Sequence, residues 1–115
     1  MITLYHNPRC RKSREALQLV EHSGLPFEVV DYQMNPLSPD ALKGILKKLG
    51  IPAEALLRKN EALWKEHYKG KTLTEEELVD LMVAHPRLME RPILVRGEQA
   101  LVGRPPERIM ELLQF

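Results

Sequence analysis

Cysteine is the first scarcity: the 115-residue chain holds one, Cys10. No internal disulfide can form, and zinc cages built from several cysteines and histidines are out of reach. His22, His67 and His85 have no partners at ligand spacing, so no metal and no resident cofactor are expected. Charge of one sign is not in excess either. Seventeen basic residues against 16 acidic ones leave +1, so neither nucleic acid nor an anionic membrane is an expected partner and any electrostatic role must be local. No apolar run approaches the roughly 18 residues of a membrane span. The opening Met-Ile-Thr-Leu-Tyr-His-Asn-Pro lacks the basic-then-apolar pattern of a secretory signal, which makes a reducing cytoplasm the expected location. The phosphate loop G-x-x-x-x-G-K-[ST] and the dinucleotide loop G-x-G-x-x-G are missing. A cysteine-phosphatase loop needs arginine at position 16, where Ala16 stands.

What is there has an ordinary globular composition, 43% hydrophobic and 29% charged, and the length suits one domain, residues 1–115. Ile2-Thr-Leu-Tyr5 reads as a strand stopped by His6-Asn7-Pro8. From Arg11 the apolar period changes: Ala16, Leu17 and Val20 share a helical face, and Gly24 with Pro26 ends the element. Residues 27–32 form a second β-like run, so the unit is β-α-β with parallel strands and a right-handed crossover. Ser38-Pro39-Asp40 opens another helix, with Leu42, Ile45, Leu46 and Leu49 at helical spacing before Gly50. Residues 52–87 offer only further helical pieces, the clearest opened by the capping box of Thr74 and Glu77, whose acidic neighbours Glu75, Glu76 and Asp80 form a solvated face. Ile93-Leu-Val95 and Ala100-Leu-Val102 flank a glycine-containing turn as a hairpin, and a closing helix starts at Pro105-Pro106. The order β-α-β, helical insert (about 38–90), β-β-α predicts an α/β fold with a mixed four-stranded sheet of thioredoxin-like arrangement.

Cys10 falls where the first loop becomes a helix. There its sulfur meets unpaired backbone N–H groups and the positive end of the helix dipole, both of which favour thiolate over thiol. Arg9, Arg11, Lys12 and Arg14 crowd the same turn with no acid before Glu15, a conflict with the dipole that is explained if the gain is a reactive, low-pKa cysteine. His6 can stabilise a thiolate by hydrogen bond or positive charge. Ser13 stands where dithiol oxidoreductases keep the second cysteine of C-x-x-C and offers only a hydroxyl to the sulfur. An oxidised or substrate-bound Cys10 therefore needs an external thiol, glutathione or a glutaredoxin-type partner, to resolve it. Arg58, Arg91 and Arg104 sit at loop positions, and their guanidinium forks suit an oxyanion.

The segments His6-Asn-Pro-Arg-Cys10-Arg-Lys-Ser-Arg14, Leu56-Leu-Arg58-Lys-Asn60, His85-Pro86, Arg91-Pro-Ile93 and Gly103-Arg-Pro105 together resemble the glutaredoxin-coupled arsenate reductase family, over essentially the whole chain. That resemblance implies a thioredoxin-like fold with a helical insert and Cys10 as the nucleophile toward arsenate. It implies Arg58, Arg91 and Arg104 as holders of the oxyanion, with His6 and Ser13 tuning the thiolate. Glutathione would displace the adduct and glutaredoxin would complete reduction to arsenite. Pro92 would be the cis-proline facing the cysteine. Two other readings share the fold: a monothiol oxidoreductase acting on glutathione adducts or another oxyanion, and an Spx-type regulator of RNA polymerase.

Overall fold

The computed structural model describes residues 1–114. In chain order the elements are β1 (Ile2–His6), α1 (Arg11–His22), β2 (Phe27–Asp31), α2 (Pro39–Leu49), α3 (Ala53–Leu56), α4 (Ala62–His67), α5 (Glu75–Ala84), a 3-10 turn (Pro86–Leu88), β3 (Ile93–Arg96), β4 (Gln99–Val102), a second 3-10 turn (Pro106–Ile109) and α6 (Met110–Leu113). They fall into two compact units. One comprises Met1–Asn35 and the chain from Arg91 onward, the other Pro36–Glu90.

The first unit is the sheet unit. Its strands run in the order β2-β1-β3-β4, with β1 parallel to β2 and antiparallel to β3, and β3 antiparallel to β4. This is the mixed thioredoxin-like sheet that the sequence predicts. Alternation along β1 sends Ile2, Leu4 and His6 to one face. There Ile2 and Leu4 pack with Ala16 and Val20 of α1, Leu94 of β3, Leu101 of β4 and Ile109. Leu4, Val20 and Leu94 are wholly buried, and cutting back one such leucine to alanine costs about 2–5 kcal/mol. The hairpin is tighter than its sequence suggests. Arg96 pairs with Gln99, so only Gly97 and Glu98 remain in the turn, and Gly97 takes φ 62°, which glycine adopts at little cost. The closing segment is likewise a 3-10 turn running into the short α6, and not one continuous helix from the prolines.

The second unit is all helical apart from a single bridge between Leu57 and Met89. Ser38 caps α2 by accepting from the Ala41 N–H at 3.1 Å, and Gly50 closes it at φ 70°. The capping box at α5 is complete, with Thr74 accepting from the Glu77 N–H and Glu77 accepting from the Thr74 N–H. Glu75 also accepts from the Ala53 N–H at 3.0 Å, which ties the first turn of α5 to the first turn of α3. Leu42, Leu56, Val79, Met82 and Leu88 are fully buried in this unit.

Candidate active site

The loop from β1 to α1 is shaped by Asn7. Its Oδ1 accepts from the Arg9 N–H at 3.0 Å, its carbonyl accepts from the Cys10 N–H at 3.0 Å, and its own N–H donates to Ser13 Oγ at 3.0 Å. An asparagine bonding to the backbone two residues on is the Asx turn that Asn-Pro sequences favour. Cys10 is thereby held in extended conformation, φ −96° and ψ 122°, as the N-cap of α1. Its carbonyl accepts from the Arg14 N–H at 3.0 Å, the first bond of the helix. The Cys10 side chain makes no capping bond of ordinary geometry, yet the nearby N–H groups of Ser13 and Lys12 still act on its sulfur.

Cys10 is half-buried, and burial pushes its thiol up. The Ser13 N–H, the hydrogen bond and charge of Arg91, and the Lys12 N–H together outweigh that, so the thiol lies below its ordinary range. A second guanidinium is also at hand: Arg104 Nη2 lies 3.8 Å from Cys10 Sγ while Arg104 Nε donates to the Arg91 carbonyl at 2.9 Å. Arg104 therefore joins the sulfur to the start of β3. The segments that carry both arginines are locked together, because the Gly103 N–H donates to the Pro92 carbonyl at 2.8 Å. A Cβ on Gly103 would stand 2.9 Å from Ile109 Cγ2 and 3.0 Å from Pro92 Cγ. The Arg91–Pro92 and Arg104–Pro105 peptide bonds are both cis.

Three expectations need correction. The cations adjacent to Cys10 do not surround the sulfur. Arg9 and Lys12 are exposed, Arg11 pairs with Glu15 at 3.2 Å, and Arg14 Nη1 donates to the Pro8 carbonyl at 3.0 Å, clamping the loop. Side chains in a first helical turn splay outward while its N–H groups point along the axis, so the amides and the distant Arg91 act where the neighbouring charges do not. The Ser13 hydroxyl, wholly buried, bonds to His6 Nδ1 at 2.7 Å and to the Asn7 N–H; it is the Ser13 amide that serves the sulfur. His6 ends β1, outside the loop, and is 5% exposed. Burial lowers its pKa against the opposing pull of Asp31 and Ser13, so it is neutral at pH 7 and supports the site through Ser13, without a positive charge.

Arg58 belongs to the helical unit. Its guanidinium lies between Glu61, at 3.5 Å, and Glu90, at 3.8 Å, and its N–H donates to the Leu88 carbonyl at 2.7 Å. The sheet unit thus brings together Cys10, Arg91 and Arg104, with His6 and Ser13 behind the loop. Asn7 is the residue that a search for reactive groups overlooks, and its only signal in the sequence is the proline that follows it. Among the described residues no group of three or more His, Cys, Asp or Glu side chains is placed to hold a metal ion. No helix there is long and apolar enough to cross a membrane.

A single thiol lowered by amides and guanidinium groups is the chemistry of a nucleophile that receives anions, and known proteins share its frame. The uncharacterized protein YfgD of Escherichia coli K12 is 45% identical over 97% of this chain and 96% of its own length. An arsenate reductase of Neisseria meningitidis serogroup B is 41% identical over 97% of each chain. The solved structure of an arsenate reductase from Vibrio cholerae superposes with a TM-score of 0.91 at 41% identity, covering 96% of this chain and 95% of the other. The ArsC family profile matches residues 5–112, and the chain belongs to that family.

Proposed function

We propose that the protein is an arsenate reductase that works through the Cys10 thiolate, with glutathione and a glutaredoxin as reductants. One observation carries this reading: a lone, partly accessible thiol lowered by Arg91 and two helix amides, with Arg104 Nη2 3.8 Å from the sulfur. The relatives named arsenate reductase, about 40% identical over nearly the whole chain, support the choice of oxyanion.

In this mechanism Arg91 and Arg104 hold the arsenate oxygens and offset the charge that otherwise repels the thiolate. Cys10 attacks arsenic and forms an S–As bond as an oxygen leaves as water. Arg58, paired with Glu61 and Glu90 inside the helical unit, takes no part in these steps. Glutathione then condenses with the arsenical as a second water leaves, and attack by a second thiol on the glutathione sulfur makes a disulfide whose electron pair passes to arsenic. One water finally cleaves the Cys10 S–As bond, releasing arsenous acid and the free thiol. The balance is arsenic acid plus two thiols giving arsenous acid, one disulfide and water. The second thiol comes from outside because the chain has only one.

The test is arsenate-dependent NADPH oxidation with glutathione, glutaredoxin and glutathione reductase. Turnover is expected from the native chain and none from Cys10→Ser with its fold intact. Turnover retained in that variant removes the nucleophile. No arsenate response from a protein whose thiol still titrates low removes the substrate and leaves the thiol chemistry for another oxyanion or a glutathione adduct.

A further inference from the structure

The helical unit holds a cavity of about 420 Å³, within the range of small-molecule sites, that belongs to none of the chemistry above. Its apolar lining comes from Leu57, Trp64, Leu73 and Leu78. Four lysines, Lys59, Lys65, Lys69 and Lys71, line it together with a single acid, Glu54. That acid is already engaged with Lys59 at 2.6 Å. Lys71 lies 5.5 Å from the centre of the Tyr68 ring, which stacks on Trp64. Lys65 and Lys69 have no acidic partner among the described residues.

The local sequence explains the arrangement. After α4 the Lys69 N–H returns to the Trp64 carbonyl and the Lys71 N–H to the Tyr68 carbonyl, both at 3.0 Å. Gly70 makes the reversal at φ 84°, a conformation that costs other residues strain. The turn carries Lys69, Lys71, Thr72 and Leu73 back along the cavity that Trp64 also lines. An open pocket lined by leucines, Trp64 and four lysines, whose one carboxylate is already paired, complements an amphipathic anion.

We propose that this cavity is a binding site for a small organic anion with an apolar body, the lysines receiving its carboxylate or other acidic head. An anion placed among the lining lysines is attracted by each of them, and the apolar body displaces water from the leucines and Trp64. The site is independent of the arsenate reading, and its test needs no turnover.

Trp64 is the sole tryptophan, so its emission reports the cavity. The native protein is titrated with octanoate, with 1-octanol as the neutral isostere, and with a hexaglutamate peptide as a chain-like polyanion. Octanoate is expected to saturate the signal at one site. Octanol, or octanoate added to the K65E/K69E pair, should bind about tenfold or more weakly. A K65A/K69A pair should lose affinity in the same direction and decides the matter if the charge-reversed pair does not fold. Absence of saturation below the micellar range overturns the proposal, as does equal affinity for the alcohol or an affinity indifferent to both lysine pairs. Hexaglutamate saturating the signal at lower concentration than octanoate also overturns it, in favour of an acidic protein segment.

Discussion

At the scale of single residues, the site works by contrast between neighbours in sequence and neighbours in space. Arg11 and Arg14 stand one and four positions from Cys10 and spend themselves on Glu15 and on the Pro8 carbonyl. Arg91, far along the chain, acts on the thiol. Arg91→Ala is therefore expected to move the pH midpoint of Cys10 alkylation upward, whereas Arg11→Ala leaves it in place; a midpoint unmoved by loss of Arg91 contradicts this account. Arg104→Ala removes a charge-assisted contact and should lower kcat/KM for arsenate by about ten- to hundredfold, while the thiol stays open to alkylation. His6 gives a second titration. An unfolded histidine binds its proton near pH ~6.5, and the folded, buried His6 does so only at lower pH. Between those values the unfolded state holds more protons, so stability falls as pH drops below about 6.5 and is flat with respect to this group above it. Urea unfolding across that range should show the decline in the native chain and a shallower one in His6→Asn. Identical slopes would show that another group titrates.

At the scale of elements, period and punctuation carried most of the information. The switch from alternating to helical spacing at Arg11, the Ser38-Pro39 opening, Gly50 and the Thr74–Glu77 box each act within a few residues, and each is found where the sequence placed it. Ends governed by pairing were less legible. Arg96 and Gln99 are polar and read as turn, but cross-strand bonds recruit them into the ladder. The short α3 and α4 have no apolar period long enough to define them, so they appeared only as unspecified helical pieces. Positions set by tertiary approach left no local trace at all. Gly103 is the clearest: its sequence neighbours say nothing of Ile109 and Pro92 closing in on it. Gly103→Ala is expected to cost about 1–3 kcal/mol through overpacking, measured by chemical denaturation. It should also raise the Cys10 alkylation midpoint, because Pro92 carries Arg91 and Gly103 precedes Arg104. A fully stable variant would mean that the neighbours yield without cost.

At the scale of the whole molecule, the charges nearly cancel, and Cys10, Arg91 and Arg104 all belong to the sheet unit. Of the candidate site, the place of Cys10 at the helix start was legible, because a lone cysteine after a proline loop is visible in one dimension. How Ser13 and His6 serve it was not, since side-chain direction is settled only when α1 packs on β1. With one sulfhydryl per chain, oxidised glutathione should add a single glutathionyl group by mass spectrometry and no more. Addition blocked by prior alkylation is expected, and a second adduct would contradict the count.

Because the residue that begins α1 is also the proposed nucleophile, the opening of the helix senses the state of the sulfur. While it is anionic, the two amides behind it have a negative neighbour to lean on. Once it is esterified or joined to another thiol, that support is expected to weaken and the first turn to loosen. Each turnover of the proposed reaction would then be accompanied by a small fraying and re-forming at the helix start, giving the proposed reductant more room to reach the adduct at the moment when it must be released.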